Sequence, residues 1–123
     1  MKHRIALLAT AAVAVTALVI VGGALAARDA KETTSVQAVT VNMVDFKFRL
    51  SKTLLKPGKT TFTVYNRGKS IHDFDITKVK NMPFIAPGKK FVFTVTLKAG
   101  TWRYICTVPR HSALGMTGRF VAR

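Results

Sequence analysis

Cysteine is nearly absent from this chain: Cys106 is the only one among 123 residues. An intrachain disulfide is therefore excluded, and a lone thiol in the chain asks for another purpose. Carboxylates are scarce too, with 5 Asp+Glu against 20 Lys+Arg. Asp29, Glu32, Asp45, Asp73 and Asp75 offer no convincing acid–base pair and there is no hydrolytic triad, so no enzymatic activity is expected. Of the 3 histidines, His3 precedes a long apolar run, which leaves His72 and His111 downstream of it. With no second Cys and no third downstream His, a tetrahedral zinc site made of those residues cannot close. Beyond the apolar run, no segment has a convincing helical period.

The apolar run extends from Ile5 to Ala27 without a charge, behind Lys2, His3 and Arg4. A cationic start, an apolar stretch and the small-residue triplet Ala24-Leu25-Ala26 read as a signal peptide over residues 1–26, cut after Ala26. The run is also long enough to span a bilayer, so an uncleaved outward-facing membrane anchor is the alternative. In both cases the remainder is exported, to a periplasmic or extracellular location. Residues 27–35 mix charge with Thr and Ser and read as a linker, leaving 36–123 as a single domain. Most of the net charge of +15 is dispersed over the domain, from Lys47, Arg49 and Lys52 to Lys89 and Lys90. About half of that charge reads as a solvated surface, and the rest suits an acidic redox protein partner or an anionic membrane surface. Nucleic acid is not expected, because the chain is exported and carries no recognised binding motif. Gly68-Lys69-Ser70 looks like the tail of a phosphate-binding loop, but Thr63 stands where that loop needs its first glycine.

From Val36 onward the pattern is β. Val36 to Met43 alternates, and Phe46, Phe48 and Leu50 resume a period of two after a kink at Asp45. Pro57-Gly58 and Pro87-Gly88 each supply a turn before an alternating run, Thr60 to Asn66 and Phe91 to Leu97. His72 to Ile76, Thr101 to Cys106 and Gly118 to Ala122 complete seven or eight short strands, the spacing of an all-β sandwich or barrel. Inward faces are expected at Phe62 and Val64, at Phe91, Phe93, Val95 and Leu97, and at Trp102 and Tyr104.

One loop stands out. Cys106, His111 and Met116 follow one another with four residues between each, after a strand, and so bring a thiolate, an imidazole and a thioether together. Taken singly, His72 is an ordinary core or surface histidine, Met116 a gap-filler and Cys106 a small buried hydrophobe. Taken together, two His, one Cys and a weak axial Met form the trigonal set of a blue-copper electron-transfer site. Metal coordination would also account for the unpaired thiol, which it deprotonates and shields.

With these residues in place, the chain resembles the cupredoxins, the blue-copper family of plastocyanin and azurin. The resemblance covers about Val36 to Arg123. It rests on the Asn66 to His72 segment, the strand from Gly100 to Cys106, and the Cys106, His111, Met116 loop. It implies a Greek-key β-sandwich with one copper ion at one end, His72 on the inner side and His111 edging toward solvent. Asn66, Asp73 and Thr107 are then the residues expected to support the ligands. Two positions depart from the family pattern: Arg110 replaces a common Gly before the loop His, and Asp73 replaces a common Asn or Ser after the first His. A positive φ at Arg110 would strain the backbone, and a carboxylate at Asp73 would favour Cu(II) and lower the potential.

The expectation is a monomeric, exported type 1 copper protein that carries single electrons between partners by Cu(I)/Cu(II) cycling. Its rival is a copper carrier or buffer that delivers the ion to another exported protein. Pro109, Ala113, Leu114, Pro83 and Phe84 are expected to form an apolar docking rim, with Arg110 and nearby Lys selecting an acidic partner.

Overall fold

The computed structural model describes residues 35–79 and 82–123. The expected signal peptide or anchor, and the linker up to residue 34, lie outside the described residues. The rest is all-β, with eight strands: β1 (Gln37–Val44), β2 (Lys47–Leu50), β3 (Leu54–Leu55), β4 (Gly58–Asn66), β5 (Asp75–Ile76), β6 (Lys90–Leu97), β7 (Gly100–Ile105) and β8 (Thr117–Ala122). They form two four-stranded sheets, ordered β2-β1-β4-β6 and β3-β8-β7-β5.

Period-two patterning sets the register. On β4, Thr60, Phe62, Val64 and Asn66 are buried, while the residues between them are half-exposed. On β1, Val39, Val41 and Met43 turn the same way. The two strands run parallel, with Val39 opposite Phe62, Val41 opposite Val64 and Met43 opposite Asn66, so their apolar faces coincide. β6 closes that sheet antiparallel to β4, and the echoed Pro-Gly turns open the two strands, Pro57-Gly58 leading β4 and Pro87-Gly88 leading β6, with φ of 126° at Gly58 and 76° at Gly88.

An aromatic layer fills the space between the sheets. Phe62 stacks on Phe93 at 5.2 Å, Phe48 meets Phe74 edge-on at 5.3 Å, and Trp102 stacks on Phe120 at 6.3 Å. Phe62, Phe74 and Phe120 are fully buried, and each such burial stabilises the fold by roughly 1.5–3 kcal/mol.

Three expectations are refined. Phe91, Phe93 and Val95 are half-buried rather than interior, because β6 is an edge strand, and only Leu97 on that strand is fully buried. Trp102 is likewise half-buried, while Tyr104 is interior. The strand expected over His72 to Ile76 shrinks to Asp75–Ile76, with His72 held by an isolated bridge to Ile85. Conversely, Leu54–Leu55, where no strand is expected from the sequence, pairs parallel with β8. Two residues carry no readable period, so that strand exists only through its partner.

Candidate metal centre

Three connections converge at one end of the sandwich. They are the β1–β2 turn, the segment between β4 and β5, and the β7–β8 loop, joined by the contacts described below.

Cys106 follows the last residue of β7, and its amide donates to the Met116 carbonyl at 3.0 Å, prolonging the β7–β8 ladder by one pair. Between those two residues the loop folds on itself. The His111 amide donates to Val108 O at 3.1 Å, Leu114 N to His111 O at 3.1 Å, and Met116 N to His111 O at 3.0 Å. Arg110 adopts φ 73°, the left-handed conformation in which the family pattern favours glycine. Cys106 and Met116 are buried and His111 is half-buried.

His72 is held from the opposite side. Its amide and carbonyl bond to Ile85 at 3.2 and 2.7 Å, and its side chain is fully buried. Asn66 anchors the segment leading to it. Its Nδ2 donates to Ser70 O at 2.8 Å and Ile85 O at 2.7 Å, and its Oδ1 accepts from Gly68 N at 2.9 Å. Asp73 accepts from the Thr107 amide and hydroxyl, which ties the segment after His72 to the segment after Cys106.

The result is a tight triangle of donor atoms. His72 Nδ1 lies 3.1 Å from His111 Nδ1, and Cys106 Sγ lies 3.5 Å from His111 Nδ1 and 3.8 Å from His72 Nδ1. No other group of three His, Cys, Asp or Glu among the described residues is placed to hold a metal. A point equidistant from these three atoms is about 2 Å from each, close to ordinary metal–nitrogen and metal–sulfur bond lengths. One thiolate, two imidazoles and a thioether in the same loop suit copper in both oxidation states. Burial pushes the Cys106 thiol above its ordinary range, so a bound cation rather than the protein surroundings would deprotonate it.

One residue at this site was read from the sequence only as a kink. Asp45, in the β1–β2 turn, places Oδ1 3.0 Å from His72 Nε2 and accepts from Lys69 N and Ser70 N. The hydrogen bond to His72 and those from the two amides hold its carboxyl below the usual range. The Lys69 and Ser70 amides thus receive a carboxylate from the chain itself. No local motif announces this contact, because Asp45 and His72 lie on separate connections.

The sequence pattern of the cupredoxin-like domain matches residues 10–117. The chain belongs to the cupredoxin-like domain family, and its four residues His72, Cys106, His111 and Met116 form a candidate copper site on an electron-transfer fold. Among solved structures, reduced auracyanin from the photosynthetic bacterium Roseiflexus castenholzii is 19% identical, with a TM-score of 0.59 over 71% of this chain and 97% of that one. Auracyanin B is 20% identical, with a TM-score of 0.58 over 71% of this chain and 88% of its own. The copper protein rusticyanin, in its reduced form, is 26% identical, with a TM-score of 0.59 over 70% of this chain and 78% of that one. No curated protein matches the sequence.

Proposed function

We propose that the protein is an exported type 1 copper protein that passes single electrons between redox partners, and that His72 Nδ1, His111 Nδ1, Cys106 Sγ and the Met116 thioether would hold its one copper ion. The triangle of Nδ1, Nδ1 and Sγ, closed to within 3.1–3.8 Å by two separate connections of a rigid sandwich, is the observation that carries this reading. Bound copper supplies a one-electron couple. The residues supply the rest. Cys106 and Met116 offer sulfur to Cu(I), the imidazoles offer nitrogen to Cu(II), and the backbone bonds that fix the β7–β8 loop and the His72–Ile85 bridge keep the donors in place for both.

His111 is the exit. Phe46, Pro109, Arg110, Ala113 and Leu114 surround it in a shallow hollow of about 410 Å³. Leu114 and Phe84 are exposed apolar side chains, suited to the small, transient contact of a redox encounter. Arg110 beside His111 favours an acidic partner. The protein acts as a carrier of electrons and not as an enzyme, and the signal or anchor over residues 1–26 delivers it outside the cytoplasm or holds it there.

The test is voltammetry of the copper-loaded protein alongside competition with a chelator. A reversible one-electron wave with copper retained supports electron transfer. Rapid loss of copper to the chelator without a reversible wave would assign the protein to copper delivery instead.

A further inference from the structure

Val44 and Lys47 are the last paired residues of the β1–β2 hairpin, so its turn consists of two residues, Asp45 and Phe46. Each reaches a different histidine of the candidate copper site. Asp45 Oδ1 lies 3.0 Å from His72 Nε2, and the Phe46 ring meets the His111 ring edge-on, with centroids 5.0 Å apart and planes at 85°.

Three features indicate that this arrangement is built rather than incidental. Phe46 has φ 62°, a conformation that bulky residues avoid and that persists only where the surroundings impose it. The Asp45 carboxylate is tethered by Lys69 N at 3.0 and 3.1 Å and by Ser70 N at 3.2 Å, so it cannot swing away freely. Gly68 completes the cradle. A Cβ at that position would stand 2.5 Å from Asp45 Oδ1 and 2.9 Å from His72 Nε2, so only glycine lets the carboxylate and imidazole meet.

We propose that the β1–β2 turn is a clamp on both histidines of the metal centre, in which Asp45 is a positioning residue that holds the His72 proton on Nε2 and leaves Nδ1 free for copper, while Phe46 restrains the His111 ring. The inference rests on the copper reading above. Its chemistry follows from the imidazole, whose two nitrogens cannot be set independently: a carboxylate accepting from Nε2–H fixes the tautomer, orients the ring and makes Nδ1 a stronger donor. The carboxylate also places a negative charge one imidazole away from the ion, which favours Cu(II) over Cu(I).

The test compares the native protein with Asp45→Ala, Asp45→Asn and Gly68→Ala. In the copper-free protein, nitrogen-15 NMR of the imidazoles is expected to find the His72 proton on Nε2, and to find mixed tautomers in Asp45→Ala. Cu(II) affinity, measured against a chelator, is expected to fall about 10–100-fold in Asp45→Ala and Gly68→Ala. Asp45→Asn, which keeps an acceptor without the charge, should recover much of that loss while still raising the reduction potential. A native His72 proton on Nδ1 would overturn the proposal, as would Cu(II) affinities and potentials unchanged in all three variants. Lower thermal stability with an unchanged potential would reduce Asp45 to a structural role and overturn it as well. A native protein that binds no copper would defeat the function proposed above, and the tautomer measurement would still decide the role of Asp45.

Discussion

Asp73 accepts two hydrogen bonds from Thr107, one from its amide at 2.6 Å and one from its hydroxyl at 2.5 Å. The residue after His72 is thereby fastened to the residue after Cys106, across the two segments that must converge on one ion. Asp73 is almost fully buried, so this carboxylate ties the site together and also charges it.

Replacing the charge and keeping the shape separates those effects. Asp73→Asn should raise the reduction potential, because a buried anion beside the site favours Cu(II). A rise on the order of 60 mV is expected, the equivalent of a tenfold change in a one-electron equilibrium. Voltammetry decides it, and an unchanged potential would show that the carboxylate does not tune the site.

Arg110 occupies a left-handed position, φ 73°, next to His111. Relieving it with Arg110→Gly should stabilise the fold by about 1 kcal/mol in urea unfolding, the usual cost of a side chain in that conformation. The same change removes a cation beside the proposed electron exit. Electron transfer to an acidic partner should become slower at low salt and less sensitive to ionic strength.

Asn66 is fully buried and uses its amide for three hydrogen bonds, to Ser70 O, Ile85 O and Gly68 N. Asn66→Ala strands those backbone groups and should cost at least about 2 kcal/mol, read from thermal or urea unfolding. It should also weaken copper retention, since the freed segment carries His72. A variant with native stability would show that water replaces the amide without loss.

Burial first, and then repulsion from Asp73, raises the Asp75 carboxyl above its ordinary value of 3.8. The folded state therefore holds the Asp75 proton to higher pH than the unfolded chain does, and stability falls as pH rises through that window. Asp75→Asn should be more stable than the parent at neutral pH, with the advantage vanishing below about pH 3.8. Unfolding curves across pH test this, and a pH-independent difference would contradict it.

The sandwich was legible because β1, β4 and β6 are long enough to show alternation, and Val39, Val41 and Met43 on β1 and Phe62 and Val64 on β4 lie buried on one face as that alternation requires. Cys106, His111 and Met116 were legible because one short loop holds all three, and His72 because it is the other histidine beyond the apolar run. Asp45 was not legible as a partner of His72. Its position suggested a kink, and the contact arises only when the β1–β2 turn is folded against Gly68, which has no side chain to keep the two apart. The same holds for β3 and for the half-exposure of Phe91 and Phe93, which depend on where the sheet ends rather than on local pattern.

The central claim is that His72, Cys106, His111 and Met116 hold one copper ion through a thiolate bond. Copper titration of the purified protein, followed by visible absorption and electron paramagnetic resonance, tests it most directly. An intense sulfur-to-copper charge-transfer band that saturates at one copper per chain and disappears in Cys106→Ser is the predicted result. Colourless copper, or a spectrum that survives the loss of Cys106, would contradict it.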